Sequence, residues 1–424
     1  MSGICGLFNL DNKPVADAEL RSMTSMLEQR GPERTRRWQD GPAGLGHTLL
    51  ATTPELQFEL QPFVHPETGC AITADVRLDN REELIRALEF TKTLEFTGDA
   101  ELILEAYLKW GEHCPEHLLG DFAFAVWDPR TRVLFCARDH LGLRPFYYHH
   151  SAGQRFLFAS DARAILIIPQ VPYRINDGRV ADFLVSELEW IDYTSTFYEG
   201  IYRLPPGHRL AVSPSGLDIA EYWRPTPGPE PGPMSDRDWA DGLLEVLTRA
   251  VDARLRAPAG AVASMLSGGM DSGSVVAIGK DIREMRGDGA LPTVSASRQD
   301  DPDCAESRAI RAAVSMLGIS PAMVYLEDVG KVSAQLLTDF EEPFDGQMMI
   351  LKAIYLDAHK HGRRVVLDGA GGDVVLSPGT YIPRLIRTGN VGLAVQEILA
   401  ESRFWGAASP LPDLVRYTGS AMLP

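Results

Sequence analysis

Residues 267–272 read SGGMDS and stand between the apolar run AVASML (261–266) and the amphipathic stretch VVAIGKDIREM (275–285). A strand that passes into a helix through glycines marks a parallel α/β sheet. At such a junction the backbone N–H groups of the turn and of the first helical turn point together at an anion, and Gly268 and Gly269 put no Cβ in its way. Ser267 and Ser272 add hydroxyl donors, and Asp271 is placed to hold a divalent cation bridging phosphate oxygens. No lysine follows the glycines, so this is not the G-x-x-x-x-G-K-[ST] loop that grips β- and γ-phosphates. A loop that holds a pyrophosphate group suits chemistry at the α-phosphate instead, where an attacking carboxylate yields an acyl-adenylate. The bland alternative is a polar turn with a helix N-cap.

A second loop favours the anion site. DGAGGD (368–373) follows the apolar run RRVVL (363–367), and in a parallel sheet both loops lie at the carboxyl ends of their strands, where ligands bind. Asp271 and Asp373 are then placed to share one magnesium ion. A helix-capping role for Asp373 is the alternative.

Outward from these loops, the chain divides at RPTPGPEPGPMSD (224–236), where five prolines and two glycines make a stiff, extended connection. The expected limits are residues 1–210 for a first domain, 211–236 for a Pro/Gly-rich linker region and 237–424 for the second domain, which is short at its carboxyl end. The first half is rich in strand patterns such as GDFAFAVWD (120–128) and RVLFCARD (132–139), with DPRTR (128–132) as a hairpin turn. With 45% hydrophobic residues among 424, each half has material for a full core. The net charge of −17 is scattered, without a Lys/Arg block to track a phosphate backbone, so nucleic acid is not an expected partner. No run approaches the roughly 20 apolar residues of a membrane span, and the start lacks a signal-peptide pattern. A soluble cytoplasmic protein is expected. Cys5, Cys70, Cys114, Cys136 and Cys304 are an odd set without C-x-x-C spacing, which argues against a disulfide framework or a zinc site.

The two loops, together with DVRLDNREEL (75–84), LGDFAFAVWD (119–128), RDHLGLRPFYYH (138–149), FASDARAIL (158–166) and FYEGIYRLPPGH (197–208), resemble the asparagine synthetase family over nearly the whole chain. The resemblance implies an α+β N-terminal nucleophile (Ntn) glutaminase-like sandwich followed by an α/β adenine-nucleotide α-hydrolase-like (PP-loop) synthetase domain. It implies ATP and Mg2+, with Leu266, Ser267, Gly268, Gly269, Asp271, Ser272, Asp368 and Gly369 as nucleotide-binding positions, and backbone near Val294 against the adenine. Asp271 and Asp373 are the expected metal ligands and, with Glu342 in DFEEPFDG (339–346), the expected catalytic set. Glu342 reads equally as part of a solvated acidic turn.

Against that family, the opening MSGICGLF (1–8) has lost its chemistry. Ser2 stands where the family has the nucleophilic cysteine whose own α-amine serves as base, and a hydroxyl is the poorer nucleophile. Cys5 lies inside an apolar alternating run and reads as a core thiol. Leu49 aligns with an arginine that would hold the glutamine carboxylate. Ala74 and Asp75 align with the asparagine and glycine of the oxyanion hole, and an acidic group there opposes the developing charge. Asp99 keeps the family's amine-binding aspartate. An inactive glutaminase is expected.

A synthetase without its ammonia supply needs an amine carried by the substrate. Ala370 stands where asparagine synthetases have a glutamate and β-lactam synthetases a tyrosine, and alanine performs neither role. A peptide α-amine, with a pKa of about 8, needs less help than an amide nitrogen, and proximity supplies much of the acceleration. The resemblance is therefore followed first towards a lasso peptide cyclase, which joins a peptide's N-terminal amine to an Asp or Glu side chain. Its partners would be a precursor peptide and a leader protease or recognition protein. A β-lactam synthetase, an asparagine synthetase-like amidotransferase and a non-catalytic scaffold are the alternatives. Asp300, Asp301 and Asp303 read as a solvated, helix-capping run. His47, His149, His150, His359 and His361 read as structural or surface residues, and Lys352 and Lys360 as surface residues.

Overall fold

The computed structural model describes all residues except 92–95, 186–187, 189–190, 229–231, 233, 332–347, 373–374, 376–380, 405–408 and 423–424. Along the first half run β1 (Gly3–Asn9), α1 (Asp17–Met26), β2 (Arg34–Asp40), β3 (Ala43–Leu49), β4 (Phe63–Val64), β5 (Ala71–Leu78), α2 (Arg81–Leu88), α3 (Asp99–Trp110), β6 (Gly120–Asp128), β7 (Val133–Arg138), β8 (Tyr147–Ser151) and β9 (Arg155–Ala159). They continue into α4 (Ala162–Leu166), α5 (Asp177–Leu184), β10 (Tyr202–Arg203), β11 (His208–Ser213) and β12 (Gly216–Glu221). The strands build two six-stranded antiparallel sheets, ordered β10-β8-β9-β1-β3-β2 and β12-β11-β7-β6-β5-β4.

Alternation along each strand explains the layering. On β1, Ile4 and Phe8 point between the sheets, where they meet Leu45, Trp127, Phe156 and Phe158. Cys5 and Leu7 point the other way, onto Leu20 and Met23 of α1 and Ile165 of α4. On β5, Ile72, Ala74 and Val76 face away from the first sheet and pack under Leu102, Ile103 and Ala106 of α3. Helix, sheet, sheet, helix is the Ntn-type sandwich expected from the sequence. Phe8, Phe146, Phe156 and Phe158 are almost wholly enclosed, and each stabilises the sandwich by about 1.5–3 kcal/mol relative to exposure.

The domain limit shifts. β12 pairs with β11 from His208↔Glu221 to Ser213↔Gly216, because the turn at Pro214–Ser215 returns the chain onto the sheet edge. The first half therefore continues past residue 210 to at least Glu221, and the described residues from 222 to 234 hold neither helix nor strand.

The second half comprises α6 (Asp236–Arg254), β13 (Val262–Met265), α7 (Met270–Arg286), β14 (Thr293–Ser297), α8 (Ala305–Leu317), β15 (Ala322–Tyr325), α9 (Met348–Lys360), β16 (Val365–Leu367), α10 (Tyr381–Arg387), α11 (Val391–Phe404) and α12 (Leu411–Met422). Ser235 and Asp238 start α6 with a reciprocal capping box. The four strands form a parallel sheet ordered β15-β14-β13-β16. Val251, Leu255, Val262, Ile282, Leu291 and Leu367 make its core. Ile382, Leu385, Ala394 and Ile398 make a smaller core among the last helices.

Candidate functional site

β13 and β16 are direct neighbours, paired from Val262↔Val365 to Ser264↔Leu367, so SGGMDS and the start of DGAGGD leave the sheet side by side. Gly268 has φ +81°, and a Cβ there would lie 2.4 Å from the backbone carbon of Ala309 and 2.5 Å from the Ile310 nitrogen. The backbone of α8 thus rests on the loop, and only glycine fits. Gly269 caps α7 without any side-chain hydrogen bond, leaving that helix end without a built-in acceptor. The two serine hydroxyls, expected to face a ligand, brace the loop: Ser267 Oγ and Ser272 Oγ are 2.8 Å apart, and the Ser267 N–H donates to Ser272 Oγ at 3.1 Å.

The second loop closes directly on Asp271. A Cβ on Gly369 would stand 2.7 Å from the Ser272 nitrogen and 2.8 Å from Asp271 Cβ, and one on Gly372 would stand 2.4 Å from Asp271 Cγ. Glycines at 369 and 372 are what allow the two loops to touch. Asp368 closes its own loop: Oδ1 accepts from the Ala370 N–H at 3.0 Å, and Oδ2 accepts from the Tyr355 hydroxyl at 3.4 Å. Burial, followed by the Asp368 charge, pushes the Tyr355 phenol up. Asp373, the expected second metal ligand, and Glu342, the expected catalytic carboxylate, lie outside the described residues. Among the described residues no group of three or more His, Cys, Asp or Glu side chains is placed to hold a metal. The Asp271 carboxylate lies directly against Gly372 of the second loop.

Beside these loops opens a cavity of about 530 Å³ at the carboxyl ends of β13 and β14, lined by Leu266, Ser267, Val294 and Ala296 and closed by Ile350 and Ile354 of α9. Most of its lining is apolar, Ser297, Arg298 and Glu306 add polar groups, and Ser267 brings the start of the glycine-rich loop to it. Leu266, Ser267 and Val294, singled out from the sequence, are brought together here. Ile350 and Ile354 were not, because an apolar pair at helical spacing reads as core. Asp301 also lines the cavity, whereas Asp300 and Asp303 are exposed and paired with Arg298 and Arg311 at 2.9 and 2.8 Å. Cys304 caps α8, its sulfur accepting from the Ser307 N–H. Lys360 lines a separate cleft with Asp328 and Asp357.

In the first half the positions of the glutamine site are all occupied by internal contacts. Ser2 is buried, and its Oγ accepts from the Leu50 N–H at 3.1 Å. Leu49 packs with Ala51 and Leu56. The Ala74 N–H donates to Gln61 Oε1 at 2.6 Å, and Gln61 Nε2 donates back to the Ala74 carbonyl at 3.1 Å, so this amide is already bonded. Asp75 lies 3.7 Å from Arg144. Asp99, only 2% exposed, accepts from the Leu78 N–H at 2.8 Å, from Arg81 Nη1 at 2.5 Å and from Arg256 Nη2 at 2.9 Å. Arg256 comes from the second half of the chain. Cys5 is fully enclosed, and burial pushes its thiol far up, as a core residue requires. Burial holds His47 down at about 4 against the pull of Asp75, so its imidazole is neutral near pH 7. Burial likewise lowers the N-terminal amine to about 6, with Asp75 opposing.

The fold defines an Ntn amidotransferase-type module joined to a parallel α/β module. The glutamine amidotransferase domain family matches residues 1–223, and the asparagine synthase family matches residues 242–419. The chain belongs to the asparagine synthetase family. It is 32% identical to glutamine-hydrolyzing asparagine synthetase 3 of Bacillus subtilis (strain 168) over 71% of this chain and 49% of that protein. It is 27% identical to the putative glutamine-hydrolyzing asparagine synthetase 2 of Methanocaldococcus jannaschii over 91% of this chain and 76% of that protein. The chain thus spans about half the length of the first relative. Among solved structures, the glutamine phosphoribosylpyrophosphate amidotransferase of B. subtilis complexed with ADP and GMP aligns with a TM-score of 0.40 and 14% identity, covering 78% of this chain and 92% of that one. That likeness is too distant to bear on chemistry.

Proposed function

We propose that this chain is an ATP-dependent ligase that activates a substrate carboxylate as its adenylate and joins it to an amine carried by the substrate, without drawing ammonia from glutamine. The observation that carries this reading is the engagement of Asp99. The carboxylate that would anchor the glutamine amine is buried between Arg81 and Arg256, while Leu49, Ala74 and Ser2 are each tied into internal packing or bonding. The cavity beside Ser267 and Asp271 accommodates the nucleotide, with Mg2+ held from Asp271 and Asp373. The substrate carboxylate attacks the α-phosphorus, pyrophosphate leaves, and the amine then displaces AMP with loss of one proton.

Ala370 is exposed, and its backbone N–H donates to Asp368 Oδ1, so its methyl group leaves space on the second loop where a glutamate or tyrosine would fill it. A bulky, pre-folded substrate suits that space. The reaction favoured is lasso peptide cyclisation, in which the N-terminal amine of a precursor peptide meets an Asp or Glu side chain, with a leader protease or recognition protein as the accompanying partner.

The test is incubation with ATP, Mg2+ and a peptide bearing a free N-terminus and an internal Asp or Glu. Mass spectrometry should find a product lighter by one water, with AMP formed in equal amount and both lost in Asp271→Ala. A side-chain amide made only when ammonia or glutamine is added would replace this reading with an asparagine synthetase-like amidotransferase. A β-lactam from a small β-amino acid would replace it with a β-lactam synthetase. Absence of adenylation with every acid would leave a scaffold.

A further inference from the structure

The two strands that carry the loops are both preceded by anchors to the first half of the chain, Arg364 directly before β16 and Arg254 and Arg256 at the end of α6, six or more residues before β13. Ahead of β13, Arg256 Nη1 meets Glu55 Oε2 at 2.8 Å, and Nη2 meets Asp99 Oδ2 at 2.9 Å and the Leu78 carbonyl at 2.8 Å. Two residues earlier Arg254 Nη2 reaches Asp79 at 2.7 Å and Asp121 Oδ1 at 2.7 Å, and the Arg77 guanidinium donates to the Ala253 carbonyl. Ahead of β16, Arg364 Nη1 meets Glu33 Oε1 at 2.6 Å and donates to the Ala51 carbonyl at 3.1 Å. The strands are tied to each other at the same level, since the Ala261 carbonyl accepts from the Arg364 and Val365 N–H groups at 2.8 and 3.1 Å.

We infer that the face of the first half that carries Glu33, Glu55 and Asp99 is a socket: Arg256 and Arg364 are positioning residues that set how SGGMDS and DGAGGD stand relative to one another, and therefore how tightly ATP is held. β13 and β16 are only four and three residues long, with a parallel ladder of three pairs between them. So short a ladder leaves the register of the two loops dependent on what fixes the strand starts. Partly buried, multiply bonded arginine–carboxylate pairs contribute little net stability after desolvation but penalise every alternative geometry. The inference rests on the ligase reading for the identity of the ligand, and for nothing else.

Arg364 and Glu33 offer a test away from either cavity, their side chains being 40% and 29% exposed. Glu33→Arg and Arg364→Glu should each raise the dissociation constant of a fluorescent ATP analogue roughly 5-fold or more, and the double swap should restore it to within about twofold. Without nucleotide, amide hydrogen exchange of Val365–Leu367 should quicken in each single variant and recover in the swap. Arg256→Lys, which keeps the charge but not the fork of donors, should give an intermediate affinity. Single variants that bind the analogue like the wild type while only melting earlier would overturn the positioning role, as would a swap that restores nothing. If the wild type binds no analogue, the ligase reading falls, and unchanged exchange at Val365–Leu367 would separately overturn the socket.

Discussion

At the residue scale, two kinds of feature in the first half bear on glutamine use. Ser2, Leu49, Ala74 and Asp75 are departures that the family resemblance implies, and each is legible in the sequence because the neighbouring residues carry the family pattern. The blocking of Asp99 is not legible, because Arg256 lies 157 positions away and no local pattern announces such a pairing. The same cluster holds a titrating group. Glu59 accepts from the Ala100 N–H at 2.9 Å and from Gln61 Nε2 at 3.2 Å, and burial, followed by the Asp99 charge, pushes its carboxyl up to about 7. Its folded pKa therefore lies above the unfolded one of about 4.3, so the folded state binds the extra proton across that interval. Glu59 thus favours the fold fully below pH 4 and progressively less as pH rises to 7. Denaturant unfolding of wild type and Glu59→Gln should show the glutamine variant gaining on the wild type by roughly 3–4 kcal/mol between pH 4 and pH 8. A constant difference across that range would remove Glu59 from the pH response.

At the element scale, the strand–glycine–helix pattern announced a parallel sheet with SGGMDS and DGAGGD at the carboxyl ends of their strands, and the structure adds that those strands, β13 and β16, are neighbours. What the pattern could not supply was the third side of the cavity, since Ile350 and Ile354 on α9 have no feature separating a ligand wall from a core face. Nor could it anticipate that the two serine hydroxyls bond each other. The loop contact leads to a graded prediction. Gly372→Ala forces the Asp271 carboxylate aside, and ATP–pyrophosphate exchange should fall roughly 10- to 100-fold, the usual result of an ångström-scale misplacement. Gly268→Ala adds a backbone clash at a positive φ and should cost stability as well, by about 1–3 kcal/mol. Gly242 in α6 has nothing within 4 Å of a Cβ position, so Gly242→Ala should stabilise the helix by about 0.5–1 kcal/mol and leave exchange unchanged. Equal effects of the three alanines on exchange would contradict the loop contact.

At the scale of the whole molecule, the two halves are legible as separate patterns, while their joint is not. The proline-rich stretch falls where the described residues hold neither helix nor strand, while β12 lies beyond residue 210 because its residues 216–221 alternate weakly and are largely exposed on a sheet edge. No described helix is long and apolar enough to cross a membrane. Among the described residues the Ntn sandwich has both sheets and their cores, and Arg256 of the second half is bonded to Asp99 of the first. On the proposed reading, the amidotransferase fold serves as a support for the second half. The central claim is that glutamine plays no part, and ammonia release from glutamine, measured with and without ATP and an acidic peptide, tests it most directly. No release above background, unchanged in Ser2→Ala while the same preparation catalyses peptide-dependent ATP–pyrophosphate exchange, is the predicted result; glutamine-derived ammonia abolished by Ser2→Ala would contradict it.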